Sequence, residues 1–303
     1  MFIIISNQIA KMCLLLILGF VLYKTKLIDH QGNKSISNLL LMVVTPFMII
    51  NSFQIDYSPE LMKGLVIAMA LSVLTHLVGI LISQIMIRSK NAPDIGLERL
   101  CAVYSNCGFM GIPLVQSILG SEGVFYVTAY MVVFNLLVWT HGLMCMTGSF
   151  SLKQLRKGLT TPTVFGIITA IFLFVCRIRL PEVLADTVGY IAAMNTPLAM
   201  LVAGVSLAET DLLRALRNKR LYLVSLIKLL LIPLVMIGIF FLMPFPKTIL
   251  CTVIVAAACP VGTTGTMFAL RYNGNYKYAS GMFACSTVMS LATIPLMVLI
   301  MET

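Results

Sequence analysis

Apolar stretches close to the roughly 20-residue length that spans a bilayer recur along this chain from end to end. No other feature limits its fold as strongly. They fall near residues 3–23, 34–53, 61–87, 97–118, 122–147, 161–177, 183–208, 219–242, 248–271 and 277–301. In hydrocarbon a chain must satisfy its own backbone hydrogen bonds, so isolated stretches of this kind are helices. The connections between them are short and leave no room for a soluble domain. Charged residues make up 11% of the 303, against about 25% in soluble domains. The chain is therefore expected to be an all-α polytopic membrane protein with ten transmembrane helices. The first stretch lacks a basic leader and a small-residue cleavage site, so it reads as a span and not as a removable signal.

The net charge of +10 is a topology signal. Alternate loops carry Lys24, Lys26 and Lys34; Arg88, Lys90 and Arg99; Lys153, Arg156 and Lys157; Arg214, Arg217, Lys219 and Arg220; Arg271 and Lys277. The opposite loops carry only Lys63, Arg177, Arg179 and Lys247. Basic loops stay in the cytoplasm, and an even number of spans then puts both termini outside. A charge distributed this way does not point to nucleic acid as a partner. Eight cysteines are scattered through the apolar spans without CxxC or Cys/His spacing, which suits packing better than disulfides or a metal.

Two spans are interrupted by glycine and proline: SNCGFMGIP (Ser105 to Pro113) and ACPVGTTG (Ala258 to Gly265). Proline removes a backbone donor and clashes with the preceding turn, and glycine tolerates the unwound backbone that follows. Within a bilayer such backbone survives only where it is buried in protein or lines a polar cavity. One such break in each half is the best sequence pointer to a transporter's substrate site. The halves also share landmarks. Thr45–Pro46 and Thr196–Pro197 are separated by the same offset as Gly111 and Gly262. Five spans per copy would invert the second copy in the membrane. The expected organisation is a first repeat over 1–150, a cytoplasmic linker over 151–160 and a second repeat over 161–303.

Taken in order, LLLMVVTPFMIINSF (Leu39 to Phe53), SNCGFMGIPLV (Ser105 to Val115), NTPLAMLVAGVSLA (Asn195 to Ala208), KLLLIPL (Lys228 to Leu234) and CPVGTTGTMFALRYNGN (Cys259 to Asn275) resemble the auxin efflux carrier family. Its bacterial members are often permeases for small organic acids. The resemblance implies a scaffold of helices 1, 2, 6 and 7, through which a homodimer forms. It also implies a mobile transport domain of helices 3–5 and 8–10, in which broken helices 4 and 9 cross. Where this chain has Thr264, family members commonly carry asparagine.

At a crossing of broken helices, half-helix N-termini present partial positive charge and free N–H groups, which suits an anion. The candidate substrate-binding residues are Asn106, Gly108, Gly111 and Pro113 in the first break, and Cys259, Pro260, Gly262, Thr263 and Thr264 in the second. For Gly108 and Gly111 the plainer reading is close helix packing. Ionisable residues within the spans are functional candidates by default. Lys228 would balance substrate charge or close a gate, or else snorkel to the cytoplasmic boundary. His76 and His141 are candidates for proton coupling, although a histidine bonded to a nearby carbonyl is the commoner arrangement.

No Asp or Glu falls in the middle of a span, which disfavours a cation/proton antiporter. Glu209 and Asp211 beside Arg214 read as an interfacial charge cluster. No GxxxxGK[ST], HExxH or GxSxG sequence is present, so neither ATP coupling nor an enzyme is expected, and no cofactor or metal is implied. The chain reads as a secondary carrier of small carboxylates such as malate or malonate, working by alternating access in a bacterial plasma membrane among its lipids. One rival is a sodium-coupled organic-anion symporter of the bile-acid type, which would use Asn106, Thr263, Thr264 and Thr266. The other is a membrane sensor that keeps the carrier fold.

Overall fold

The computed structural model describes residues 2–88, 94–149, 152, 156, 159–210 and 217–302, and every regular element among them is a helix. In chain order these are α1 (Phe2–Lys24), α2 (His30–Ser52), α3 (Pro59–Met86), α4 (Ile95–Val103) and α5 (Cys107–Thr147). Then come α6 (Pro162–Val175), α7 (Glu182–Glu209), α8 (Lys219–Phe241), α9 (Lys247–Ala258), α10 (Thr264–Arg271) and α11 (Tyr276–Glu302). Among the described residues, seven (α1, α2, α3, α5, α7, α8 and α11) are long and apolar enough to cross a membrane, and α6 and α9 are shorter apolar helices. Most of the expected linker over 151–160 lies outside the described residues, as do Lys90, Lys153, Lys157, Asp211 and Arg214. Glu209 pairs with His30 at 3.1 Å.

Local chemistry starts and bends these helices. Ser58 caps α3 by accepting from the Leu61 N–H, with Pro59 in the first turn where its missing donor costs nothing. Asn218 caps α8 in the same way through the Arg220 N–H. Three π turns, Leu40–Val44, Cys107–Gly111 and Ile227–Leu231, each end just before a proline: Pro46, Pro113 and Pro233. The widened turn makes room for a ring that would otherwise strike the carbonyl one turn back. Within α5, Gly120 has φ 64° and ψ −156°, a region that only glycine populates readily. The 41 residues of α5 would reach about 60 Å if straight, roughly twice the hydrocarbon thickness. Gly120 breaks it instead, joining two helical segments at a kink.

The helices associate through small residues, as close packing in lipid requires. A Cβ on Gly19 of α1 would lie 2.3 Å from the Leu201 carbonyl oxygen of α7, and one on Gly204 would lie 2.0 Å from that of Leu16. Backbone therefore meets backbone along the α1–α7 seam. α2 packs on α6, where Gly166 abuts Pro46. Phe53, Phe125 and Phe174 bring α2, α5 and α6 together, with centroid separations of 4.4, 5.0 and 5.9 Å. A second set of contacts joins α3, α5 and α9, and α11 packs on α8, α9 and α10.

Candidate functional site

α4 stops at Val103, and the chain resumes helical structure only at the π turn from Cys107. α9 stops at Ala258, and α10 begins at Thr264. The two breaks lie side by side, with Ser105 and Val261 forming an antiparallel bridge. The Asn106 N–H donates to the Pro260 carbonyl at 2.7 Å, and the Gly262 N–H donates to the Tyr104 carbonyl at 3.1 Å. The Val261 N–H donates to Ser286 Oγ on α11 at 3.0 Å. Each break thus satisfies backbone groups that the other has freed, which is what hydrocarbon demands. Not every N–H at the breaks is open to a ligand. Those of Asn106, Val261 and Gly262 are already used, and those of Met110 and Gly111 donate to the Asn106 carbonyl at 3.0 and 3.3 Å.

The candidate residues divide by environment. A Cβ on Gly111 would lie 3.4 Å from both Cys107 Cβ and Cys259 Sγ, and one on Gly262 would lie 3.2 Å from the Ser105 carbonyl oxygen. Both glycines let the broken spans touch. Gly108 differs: its nearest neighbour would be Met131 Cε at 3.9 Å, so close packing does not require a glycine there. Pro113, Cys259 and Pro260 are buried, and the Cys259 thiol donates to the Val255 carbonyl. Thr263 and Thr264 are half-buried at the start of α10. Asn106 is 5% exposed, and its Nδ2 has no hydrogen-bond partner among the described residues. The crossing therefore holds one unspent amide donor.

Lys228 lies behind the crossing. It sits in the π turn of α8, is 1% exposed, and donates from Nζ to the Val103 carbonyl at 3.1 Å. Its ammonium points inward to the C-terminal carbonyls of α4, where a helix carries partial negative charge, so it does not snorkel. Cys107 and Cys259 lie within its electrostatic reach. Among the described residues no carboxylate lies within ion-pairing distance of it. His76 on α3 is also buried, with Nδ1 2.8 Å from the Ser72 carbonyl and the ring 4.7 Å from that of Tyr130. His141 of α5 meets a different group. Its Nδ1 is 3.0 Å from the Tyr104 hydroxyl, which itself donates to the Leu137 carbonyl at 2.8 Å.

The sequence reading passed over two buried groups. Glu98 of α4 is 1% exposed; it accepts from Arg220 Nε and Nη2 of α8 at 2.6 and 2.7 Å, and from the Tyr278 hydroxyl of α11 at 2.7 Å. It ties the first half of a broken span to two other helices. An acid at the edge of an apolar span facing basic loops was the available signal. Asn195 on α7 is 2% exposed, with neither amide atom partnered among the described residues, and α7 packs against the Cys107–Gly111 turn. A cavity of about 540 Å³ opens where the end of α7 meets the starts of α8 and α11, lined in part by Glu209, Asn218, Tyr276 and Lys277. No residue of either break lines it.

A family model described as "Membrane transport protein" matches this chain twice, over residues 4–151 and 146–298. A protein of Methanothermobacter thermautotrophicus described as an uncharacterized transporter is 23% identical over 302 residues, with 96% of each chain covered.

Proposed function

Because the chain belongs to this auxin efflux carrier-like membrane transport family and is an integral membrane transporter, we propose that it carries small organic acid anions, carboxylates such as malate or malonate, by elevator-like alternating access. One observation carries the reading. Beside the crossing of the two breaks, a buried ammonium, Lys228, has no carboxylate partner among the described residues, and the nearby Asn106 has an amide donor to spare. A buried charge of this kind calls for a counter-charge, and a carboxylate supplies both the charge and the acceptors.

The architecture proposed for this cycle has ten crossings. Gly120 divides α5, its first half continues α4, and α10 continues α9. The shared spacing of Thr45–Pro46 and Gly111 in one half and Thr196–Pro197 and Gly262 in the other supports a repeat in each half, 1–150 and 161–303, inverted because each would hold five crossings. α1, α2, α6 and α7 would form the scaffold and the dimer contact, and α3–α5 and α8–α11 the mobile domain. The basic loops support both termini outside a bacterial plasma membrane. A sodium site at the crossing is the weaker reading. The Val103, Tyr104 and Pro260 carbonyls already accept from Lys228, Gly262 and Asn106, and the ammonium would repel a second cation.

The test is a thermal-shift screen of short mono- and dicarboxylates on purified protein. A ligand of the folded state raises its stability by mass action. At least one acid should raise the melting temperature of the parent, and Lys228→Met should lose that shift. A shift retained in full by Lys228→Met would remove the lysine from the site. No shift with any acid would remove the carboxylate.

A further inference from the structure

His76 carries an acceptor that the fold leaves unused. Its Nδ1 lies 2.8 Å from the Ser72 carbonyl oxygen, and a carbonyl can only accept, so Nδ1 bears the hydrogen. The neutral ring then has its lone pair on Nε2, which is buried and has no partner among the described residues. The two tyrosines whose rings pack against it have hydroxyl contacts elsewhere. Tyr130 of α5 faces Ser105 Oγ at 3.4 Å, and Tyr104 beyond α4 donates to the Leu137 carbonyl. Lys228 of α8 lies within electrostatic reach of the ring, and Cys107 and Cys259 of the two breaks lie within electrostatic reach of Lys228 in turn. Neither His76 nor Lys228 is ion-paired with a carboxylate among the described residues. A buried acceptor without a donor calls for an explanation, and here it stands beside a buried cation at a substrate crossing.

Charge balance supplies that explanation. Two neighbouring cations without an anion repel each other where little water screens them, so the empty site holds one positive charge, on Lys228. A carboxylate beside Lys228 cancels that charge. A second carboxylate on the same ligand is balanced when a proton accompanies it into the site, and Nε2 of His76 is the free acceptor in place to hold that proton. We infer that His76 takes up a proton as substrate binds, so that a short dicarboxylate, the protonated His76 and the Lys228 ammonium together form an electroneutral site. This rests on the carboxylate reading above and names the substrate class within it. The proton comes from water, forms one N–H bond at Nε2, and returns to water when the dicarboxylate leaves. No electron moves and no other bond changes.

Proton uptake on ligand binding tests this. Purified full-length protein in weakly buffered detergent solution with a pH indicator is mixed with malonate, succinate or malate, and separately with acetate. The parent should take up about one proton per dicarboxylate bound at about pH 7.5 and none with acetate. His76→Gln should bind the same dicarboxylate more weakly than the parent and, at saturating ligand, without uptake. Dicarboxylate binding to the parent without uptake, or equal uptake by His76→Gln, would overturn the inference. If His76→Gln does not fold, the parent decides alone. Its affinity for malonate should fall about tenfold per pH unit between about pH 7 and 8.5, where the free acid is fully ionised, and a flat profile would overturn the inference. Failure of every acid to bind would sink the carboxylate reading itself, whereas binding without proton uptake sinks only this one.

Discussion

The Asn106 N–H donates to the Pro260 carbonyl at 2.7 Å, joining residues that lie far apart in the chain and in different matches of the same family model. Neither group would be available in an unbroken helix. Pro260 has no N–H with which to continue α9, and Asn106 stands outside the turn that follows it. The bond therefore depends on both interruptions at once.

Pro260→Ala restores a backbone donor and lets α9 propagate toward Val261. The Pro260 carbonyl would then turn along the helix axis and leave the Asn106 N–H unpaired. Uptake into proteoliposomes should fall strongly, while the detergent-purified protein keeps its elution profile. Unchanged uptake would mean that the break serves packing alone.

The α1–α7 seam should be intolerant of volume. At Gly204 a Cβ would lie 2.0 Å from backbone oxygen, which cannot yield as a flexible side chain would. Overpacking typically costs about 1–3 kcal/mol, and a backbone clash belongs at the upper end. Gly204→Val should lower the melting temperature by many degrees or prevent monodisperse purification. Gly238→Ala, in a helix with open space around the added Cβ, should melt no lower than the parent.

Glu98 offers a graded test. Arg220→Ala strands a carboxylate that is 1% exposed, and losing one partner of a buried pair costs about 3–5 kcal/mol. The Arg220 side chain is 35% exposed, so water can enter its place and the lower figure applies. Glu98→Gln keeps the shape and leaves no buried charge, so it should cost less. Melting curves should rank parent, Glu98→Gln and Arg220→Ala in descending order. The reverse order of the two variants would show that the pair is not the source of the stability.

Single cysteines report the orientation. One placed near Ser121 should react with an impermeant maleimide from outside intact cells, and one in place of Lys153 only after the inner face is exposed. The opposite pattern would overturn the sidedness read from the basic loops.

Much of this arrangement was legible because its determinants are local. Apolar length marks Pro59–Met86 as a helix, and Gly–Pro punctuation marks both breaks. The kink at Gly120 falls between the 97–118 and 122–147 stretches. What could not be read depends on pairing across the chain. Glu98 gains its meaning from Arg220 and Tyr278, more than a hundred positions away. The roles of Gly108 and Gly111 separate only once Cys259 is seen beside the latter. The direction of the Lys228 ammonium depends on where α4 ends, and the free nitrogen of His76 depends on which nitrogen meets Ser72. Residue type proposes such groups, and only geometry shows which of their hydrogen bonds remain unmade.

The central claim is that the crossing binds a carboxylate, and the Asn106 side chain tests it most directly. A hydrogen bond to a charged group is worth about 1.5–3 kcal/mol, which is roughly a tenfold to hundredfold change in affinity. Thr264→Ala should lose less, since a hydroxyl offers a single donor, and Thr264→Asn should alter preference among acids while transport persists. The deciding measurement is the calorimetric Kd of the best acid from the thermal-shift screen for the parent and for Asn106→Ala, both monodisperse. The account predicts a Kd raised tenfold to hundredfold in Asn106→Ala. An unchanged Kd would contradict it and place the carboxylate away from the crossing.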